Sequence, residues 1–313
     1  MIDCKKIRIV YMGTPEMSAQ LLEHLLVNKY NIVGVIAQPD QRVGRKQTLE
    51  EVPTKQIAHR YNIPVFQPIK IKHEYSFVTD LNPDLILCFA YGQIIPEIVL
   101  KMPKYGALNY HGSILPKYRG AAPIQYALMN NDAESGVCLM EMVKQMDAGR
   151  VFQLEKFPLT SDDNYETVAD KVVTASKLLT DKYLQAYING ELVGVPQDES
   201  KVTFSPSIKS EEERIKLEKS VDIVLGLIRA LSPNVGAYVI YKEQALKIFE
   251  AKVVEYSDKY EVGQIIKADK SGLYIQFLHG VVSVLTLQKA GKKKIGYKDF
   301  INGEKDLLRT KVF

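Results

Sequence analysis

Lys6-Ile7-Arg8-Ile9-Val10-Tyr11-Met12-Gly13-Thr14-Pro15-Glu16 decides how the first half of the chain folds. The run up to Met12 is rich in β-branched and aromatic residues and reads as an apolar strand covered on both faces. Gly13 ends it. Thr14 is placed to cap a helix, Pro15 suits the first helical position, and Leu21, Leu22, Leu25 and Leu26 give that helix an apolar face. The alternation continues outward. Strand-like runs at 31–37, 65–66, 84–90 and 107–110 are separated by helical segments. A helix at 123–130, strands at 136–142 and 151–157, and a long amphipathic helix at 164–189 follow. Strands that alternate with helices form parallel sheets, because each crossover brings the next strand back in the same direction. The predicted fold class is therefore α/β, with a Rossmann-like doubly wound, mostly parallel sheet.

Composition changes at 190–210, a polar stretch with Pro196, Pro206 and several Ser and Gly residues, which reads as a linker. Beyond it a helix is predicted over 211–231. Short strands follow near 237–241, 245–252, 263–267, 273–277 and 281–287. Short strands at regular spacing predict a small antiparallel barrel of the oligonucleotide-binding kind. The expected organisation is a catalytic domain over 1–189, a linker over 190–210 and a barrel over 211–313.

The 313 residues are 46% hydrophobic and 25% charged, an ordinary globular composition. No apolar run approaches the roughly 20 residues that span a bilayer, and the first residues show no signal-peptide pattern. Cys4, Cys88 and Cys138 are odd in number and show no paired spacing, which argues for a reducing, cytoplasmic setting and against a disulfide frame or a zinc site. A net charge of +4 is too mild to indicate a nucleic-acid partner by itself. The oligomeric state is not encoded in any pattern, and monomer is the default expectation.

Gly13-Thr14-Pro15-Glu16 lacks the later glycines of a dinucleotide fingerprint and the Gly-Lys-Ser/Thr of a phosphate loop, so NAD or ATP binding is not supported. More informative is Asn109-Tyr110-His111-Gly112-Ser113-Ile114-Leu115-Pro116. Period-2 alternation sends Asn109 and His111 to one face at the end of a strand, where ligands meet an open α/β sheet. Asp147 lies in a turn-like junction, Gln145-Met146-Asp147-Ala148-Gly149. Each residue alone has an ordinary structural reading: a buried histidine, an amide bonding local backbone, a turn-shaping aspartate.

Taken together with the segment His111 to Gln125, they closely resemble the folate-dependent formyltransferases, and within them the branch that formylates methionyl-tRNA. The resemblance extends through Gly13-Thr14-Pro15-Glu16, Gln38-Pro39-Asp40, Ala90-Tyr91-Gly92, the Asp147 turn and Leu287-Gln288 with Ala290-Gly291-Lys292-Lys293, and so covers essentially the whole chain. It implies 10-formyltetrahydrofolate as donor, no metal, and Asn109, His111 and Asp147 as the catalytic residues. It places the folate against Ala90, Tyr91, Gly92, Ile94, Ser113, Ile114, Leu115 and Pro116. A flat pterin calls for an apolar wall, for which Phe89, Tyr91, Ile94 and Ile95 are candidates. The chemistry needs these residue types. An amine attacking a formamide-like carbonyl develops an oxyanion, which an amide and an imidazole can stabilise, and a carboxylate can carry the amine's proton.

For the acceptor, the resemblance implies initiator methionyl-tRNA. Arg42, Arg45 and Lys46, in a loop past the second strand, and Lys292, Lys293 and Lys294, in a lysine-rich segment near 289–311, are the expected phosphate contacts. Two departures from the family pattern stand out: Gln41-Arg42 where Arg-Pro is usual, and Ser232-Pro233-Asn234-Val235-Gly236 where Asn-Pro-Trp-Pro is usual. A nucleotide-sugar amine is the alternative acceptor, and an RNA-binding module with a purely structural triad is the non-catalytic alternative.

Overall fold

The computed structural model describes residues 2–43 and 47–313. It comprises two compact units, one of Met1–Pro123, Ser135–Phe157 and Ala169–Pro206, the other of Ile124–Glu134, Pro158–Val168 and Ser207–Phe313.

The chain begins with β1 (Ile9–Gly13), α1 (Glu16–Val27) and β2 (Ile32–Ile36). A hairpin of β3 (Gln41–Val43) and β4 (Thr48–Glu50) leads to α2 (Pro53–Arg60), β5 (Val65–Phe66), α3 (Ser76–Leu81) and β6 (Leu85–Phe89). Then come α4 (Glu97–Leu100), β7 (Ala107–His111), α5 (Pro123–Met129), β8 (Glu134–Glu141), β9 (Val151–Pro158) and α6 (Tyr165–Ile188). The sheet order is β5-β2-β1-β6-β7-β8-β9. Pairing is parallel from β5 to β7 and turns antiparallel between β7 and β8. The doubly wound, mostly parallel sheet expected from the sequence is present.

Strand alternation divides the sheet's faces. Val10, Met12, Ile36, Ile86, Cys88 and Ala107 share one apolar cluster. Tyr11 and Tyr110 turn the other way and cap their buried hydroxyls on Ser18 and Thr180. Cys88 pairs with Asn109 across β6 and β7, so Asn109 and His111 lie on the face of Cys88 and Ala107. The parallel strands β2, β1, β6 and β7 release their loops at the same edge.

Three expectations are corrected in this unit. Thr14 does not cap α1; Pro15 takes the cap position without a side-chain bond. The Thr14 hydroxyl instead donates to the Tyr91 carbonyl and accepts from the Gln38 amide, joining the loops after β1, β2 and β6. Residues 41–43 and 48–50, read as loop from the sequence, pair as an antiparallel hairpin. Residues 190–206, expected to be a linker, belong to the first unit. Val195 bridges Val151 of β9, and Thr203 and Ser205 bond the backbone of Arg119. Their polar composition satisfies buried backbone groups, which is a different use from solvation.

The second unit contains α7 (Val221–Ala230), β10 (Ala237–Tyr241), β11 (Gln244–Glu255), β12 (Ile265–Asp269), β13 (Gly272–Phe277), β14 (Gly280–Lys289), β15 (Ile295–Gly296) and α8 (Tyr297–Asn302). The antiparallel order is β10-β11-β14-β13-β12, with β15 beside β14. Residues 311–313 pair with Ile240 and Tyr241 on one side and with Gly263 and Gln264 on the other, which joins the two edges of the sheet. Val239, Ile248, Ile275, Phe277, Val284 and Leu287 fill its interior with Val224 and Ile228 of α7. The helix predicted over 211–231 is much shorter. Arg214 bridges Tyr238, and buried Ile215 donates to the Tyr238 carbonyl, so sheet pairing claims these residues before α7 starts.

Candidate active site

Asn109 and His111 occupy the carboxyl end of β7, two residues apart and on one face. Cross-strand pairing with Met140 and Cys138 of β8 fixes their height. His111 is 5% exposed, so its ring orientation is set by its partners. Its Nε2 lies 2.8 Å from the Tyr118 carbonyl oxygen. A carbonyl only accepts, so Nε2 carries a proton and the other ring nitrogen faces elsewhere. That nitrogen, Nδ1, is 3.5 Å from Asp147 Oδ2. The Asn109 side chain is half-buried.

Asp147 reaches this point from the loop between β8 and β9. Its φ of 50° is left-handed, a conformation Asp tolerates better than most residues. Oδ2 accepts the Gly120 backbone N–H at 2.8 Å, which holds the group as an acceptor beside the imidazole. Gly149 completes the turn, because a Cβ there would meet the Glu141 carbonyl oxygen at 1.9 Å. On the other side, Gly120 adopts φ 126°, and a Cβ there would lie 2.7 Å from the Ser205 carbonyl oxygen.

The loop after β7 is held from inside. Ser113 is fully buried and donates to the Lys117 carbonyl at 2.6 Å, and Cys138 Sγ donates to the Ser113 carbonyl at 3.2 Å. The backbone amide of Tyr118 donates to Thr203 Oγ1, and Ser205 Oγ donates to the Tyr118 carbonyl. Arg119, 1% exposed, directs its guanidinium to Gln197 Oε1 and the Glu199 carboxylate. Burial pushes the Cys138 thiol up to about 12; burial, with the Asp147 carboxylate adding to it, does the same to Cys88. Neither thiol is a nucleophile at neutral pH. Among the described residues, no group of three His, Cys, Asp or Glu side chains converges as metal ligands would.

Two models of the formyl transferase family match the chain, one described as formyl transferase over residues 5–183 and one as its C-terminal domain over 207–305. A methionyl-tRNA formyltransferase of Lactobacillus acidophilus is 41% identical over 299 residues, 95% of each chain. The chain belongs to the formyl transferase family, among the methionyl-tRNA formyltransferases. Among solved structures, HypX from Aquifex aeolicus in complex with tetrahydrofolic acid is similar at TM-score 0.66 and 19% identity, over 94% of this chain and 47% of that one. WlaRD, a sugar 3N-formyl transferase, is similar at TM-score 0.64 and 18% identity, over 92% and 99%. Likeness at that level of identity speaks for the fold.

In this formyltransferase chain the expected site residues divide into those that converge and those that do not. Asn109, His111 and Asp147 are brought together. Ala90 and Gly92 are exposed at the end of β6 with φ of 53° and 93°, and Ile94 is exposed beside them. Ile114 and Pro116 are partly exposed. The expected wall changes. Phe89 and Ile95 are buried, and the Tyr91 ring packs in the core with its hydroxyl unpartnered among the described residues. The Ser113 hydroxyl and the Leu115 side chain are likewise internal.

Of the basic residues, Arg42 is exposed on the hairpin and donates to the Gln47 carbonyl. Arg45 and Lys46 lie outside the described residues. Lys292, Lys293 and Lys294 are exposed; Lys294 also stacks over the Phe249 ring at 3.9 Å and donates to the Pro233 carbonyl. That position belongs to the turn that departs from the usual Trp-containing motif. Lys289 and Lys311 are taken by Glu304 and Glu261. Sequence reasoning missed Gln197 and the role of Arg119. Their one signal was the polar character of 190–206, which also fits a linker.

No helix among the described residues is long and apolar enough to cross a membrane.

Proposed function

We propose that this enzyme moves the formyl group of 10-formyltetrahydrofolate to the α-amino group of initiator methionyl-tRNA in the cytoplasm. The observation that carries the reading is the convergence of Asn109, His111 and Asp147 at the end of β7, in a chain so similar along its length to methionyl-tRNA formyltransferases. The strand end suits the donor: exposed backbone at Ala90 and Gly92 can meet the polar edge of a pterin, with Ile94, Ile114 and Pro116 alongside. Ser113 and Leu115 shape that loop from behind.

The residues divide the work as follows. The His111 Nε2 proton is spent on the Tyr118 carbonyl, so the imidazole acts through its Nδ1 edge. The Asn109 carboxamide and His111 polarise the formyl oxygen as negative charge grows on it. The α-amine of the aminoacyl ester forms a bond to the formyl carbon, and its proton passes to Asp147. The bond from that carbon to the folate nitrogen then breaks, and the proton goes to the departing nitrogen. The loops after β2, β6 and β7 leave the same sheet edge, which suits a shared substrate region, and Arg42, Arg45 and Lys46 serve the tRNA phosphates. Lys292 and Lys293 serve them on the second unit. The chain works as a monomer.

The test supplies 10-formyltetrahydrofolate with charged initiator tRNA, with a 4-amino-sugar nucleotide, and with neither. Formyl transfer to the methionyl-tRNA alone is expected. Transfer only to the sugar would overturn the assignment, and transfer to neither would favour a non-catalytic RNA-binding role.

A further inference from the structure

Gln197 connects the buried Arg119 to the backbone on both sides of Ala148. Its Nε2 donates to the carbonyls of Asp147 and Gly149, each at 2.8 Å. Its Oε1 accepts from Arg119 Nε at 3.0 Å. The orientation of this carboxamide is dictated by chemistry, since a guanidinium only donates and a carbonyl only accepts. Arg119 in turn is fixed by Glu199, at 2.7 Å for the shorter of two contacts. The turn is thus pinned at three points: Gly120 N–H on the Asp147 carboxylate, Gln197 on the two carbonyls, and the Glu141 carbonyl packed against Gly149.

We propose that Gln197 is a positioning residue for Asp147. By gripping the carbonyls either side of Ala148 it holds a left-handed residue in place and sets the distance between its carboxylate, His111 and the reacting amine. The inference rests on Asp147 being the proton carrier. Glutamate at this position would keep the length and could pair with Arg119, but it would lose both donations and set a charged oxygen against two carbonyls. Methionine would keep the length and lose all three hydrogen bonds.

The test compares wild type, Gln197→Glu, Gln197→Met, Asp147→Asn and the double variant Gln197→Met/Asp147→Asn. It measures kcat, KM for each substrate, and Tm. Misplacement of a reacting group by about 1 Å costs on the order of 10²-fold in rate, so each Gln197 variant should lower kcat by about 10–100-fold. KM for the formyl donor should stay near wild type, because the folate strand end is built from other residues. In the Asp147→Asn background, Gln197→Met should add nearly nothing, the coupling expected of groups acting as one unit. A purely structural role would instead lower Tm and spare kcat per folded molecule. Near-wild-type kcat in both Gln197 variants beside a slow Asp147→Asn overturns the positioning role alone, as do additive losses in the double variant. A fast Asp147→Asn overturns the reading on which the proposal rests. Gln197→Met keeps the test decisive should Gln197→Glu not fold.

Discussion

Two loops leave the same sheet edge, one after β2 and one after β7, and are built in opposite ways. The loop after β7 is internal: Ser113, Tyr118 and Arg119 are buried; Ser113 bonds Lys117 within the loop, whereas Tyr118 and Arg119 bond Thr203, Ser205, Gln197 and Glu199 far along the chain. The hairpin of β3 and β4 is exposed throughout its described side chains and is held at its base. There Asp40 accepts from Lys55 at 2.6 Å, from Gln67 at 2.7 Å and from the Val52 amide. Bond making requires fixed distances, whereas a long polyanion requires reachable charge. The difference between the two loops follows that division.

The largest break in the comparison should come from Asp147→Asn, which is expected to lower turnover by about 10²–10⁴-fold while the protein stays folded. Single-turnover kinetics on a variant with an intact melting transition checks it. Next is Gly120→Ala. Left-handed backbone in a non-glycine residue costs of order 1–3 kcal/mol. Because the new methyl also meets the Ser205 carbonyl, Tm and turnover should fall together. A hairpin substitution should separate the two quantities instead. Asp40→Asn is expected to raise KM for the tRNA several-fold and to leave KM for the formyl donor unchanged, a split that steady-state kinetics with each substrate varied can read.

The same residue sharpens the contrast through pH. Burial pushes the Asp40 carboxyl up, but hydrogen bonds from Lys55 and Gln67 outweigh it and hold the group below its ordinary range. A carboxyl depressed in the folded state contributes stability that is present above its unfolded value, near ~3.9, and lost as pH falls through the folded one. The stability gap between wild type and Asp40→Asn should therefore close on acidification below that range, as denaturant titrations at several pH values would show. Smallest is the effect of single exposed cations. Lys292→Ala or Arg42→Ala should weaken tRNA binding modestly and lower the salt dependence by about one unit of slope each. Lys294→Ala should have a smaller effect on that slope, since its ammonium is held over Phe249 and against the Pro233 carbonyl.

What could be read from sequence follows the same line. Strands such as Ile9–Gly13 and Leu85–Phe89 are apolar on both faces, a pattern that local composition displays directly. Strand alternation put Asn109 and His111 on one face, but the site role of that pair and of Asp147 was legible only through the family resemblance carried by His111 to Gln125. The partner that holds Asp147 was not legible, since Gln197 lies 50 residues on and its contact depends on three-dimensional proximity alone. Polar residues that bond a buried loop and polar residues that face water have the same composition, so 190–206 resembled a linker. Helical periodicity over 211–231 lost to a bridge with Tyr238, another long-range pairing that no local window contains.

The free cysteines Cys4, Cys88 and Cys138 are all buried, and all belong to the first unit. A sealed thiol reacts with an alkylating reagent only during the moments when its surroundings open. The rate at which each is labelled is therefore a clock on the breathing of its own neighbourhood. Cys138 keeps time beside His111, and Cys88 beside Asn109. The strand end that bears Asn109 and His111 thus carries two natural probes of its own opening, and a substrate that tightens it should slow both.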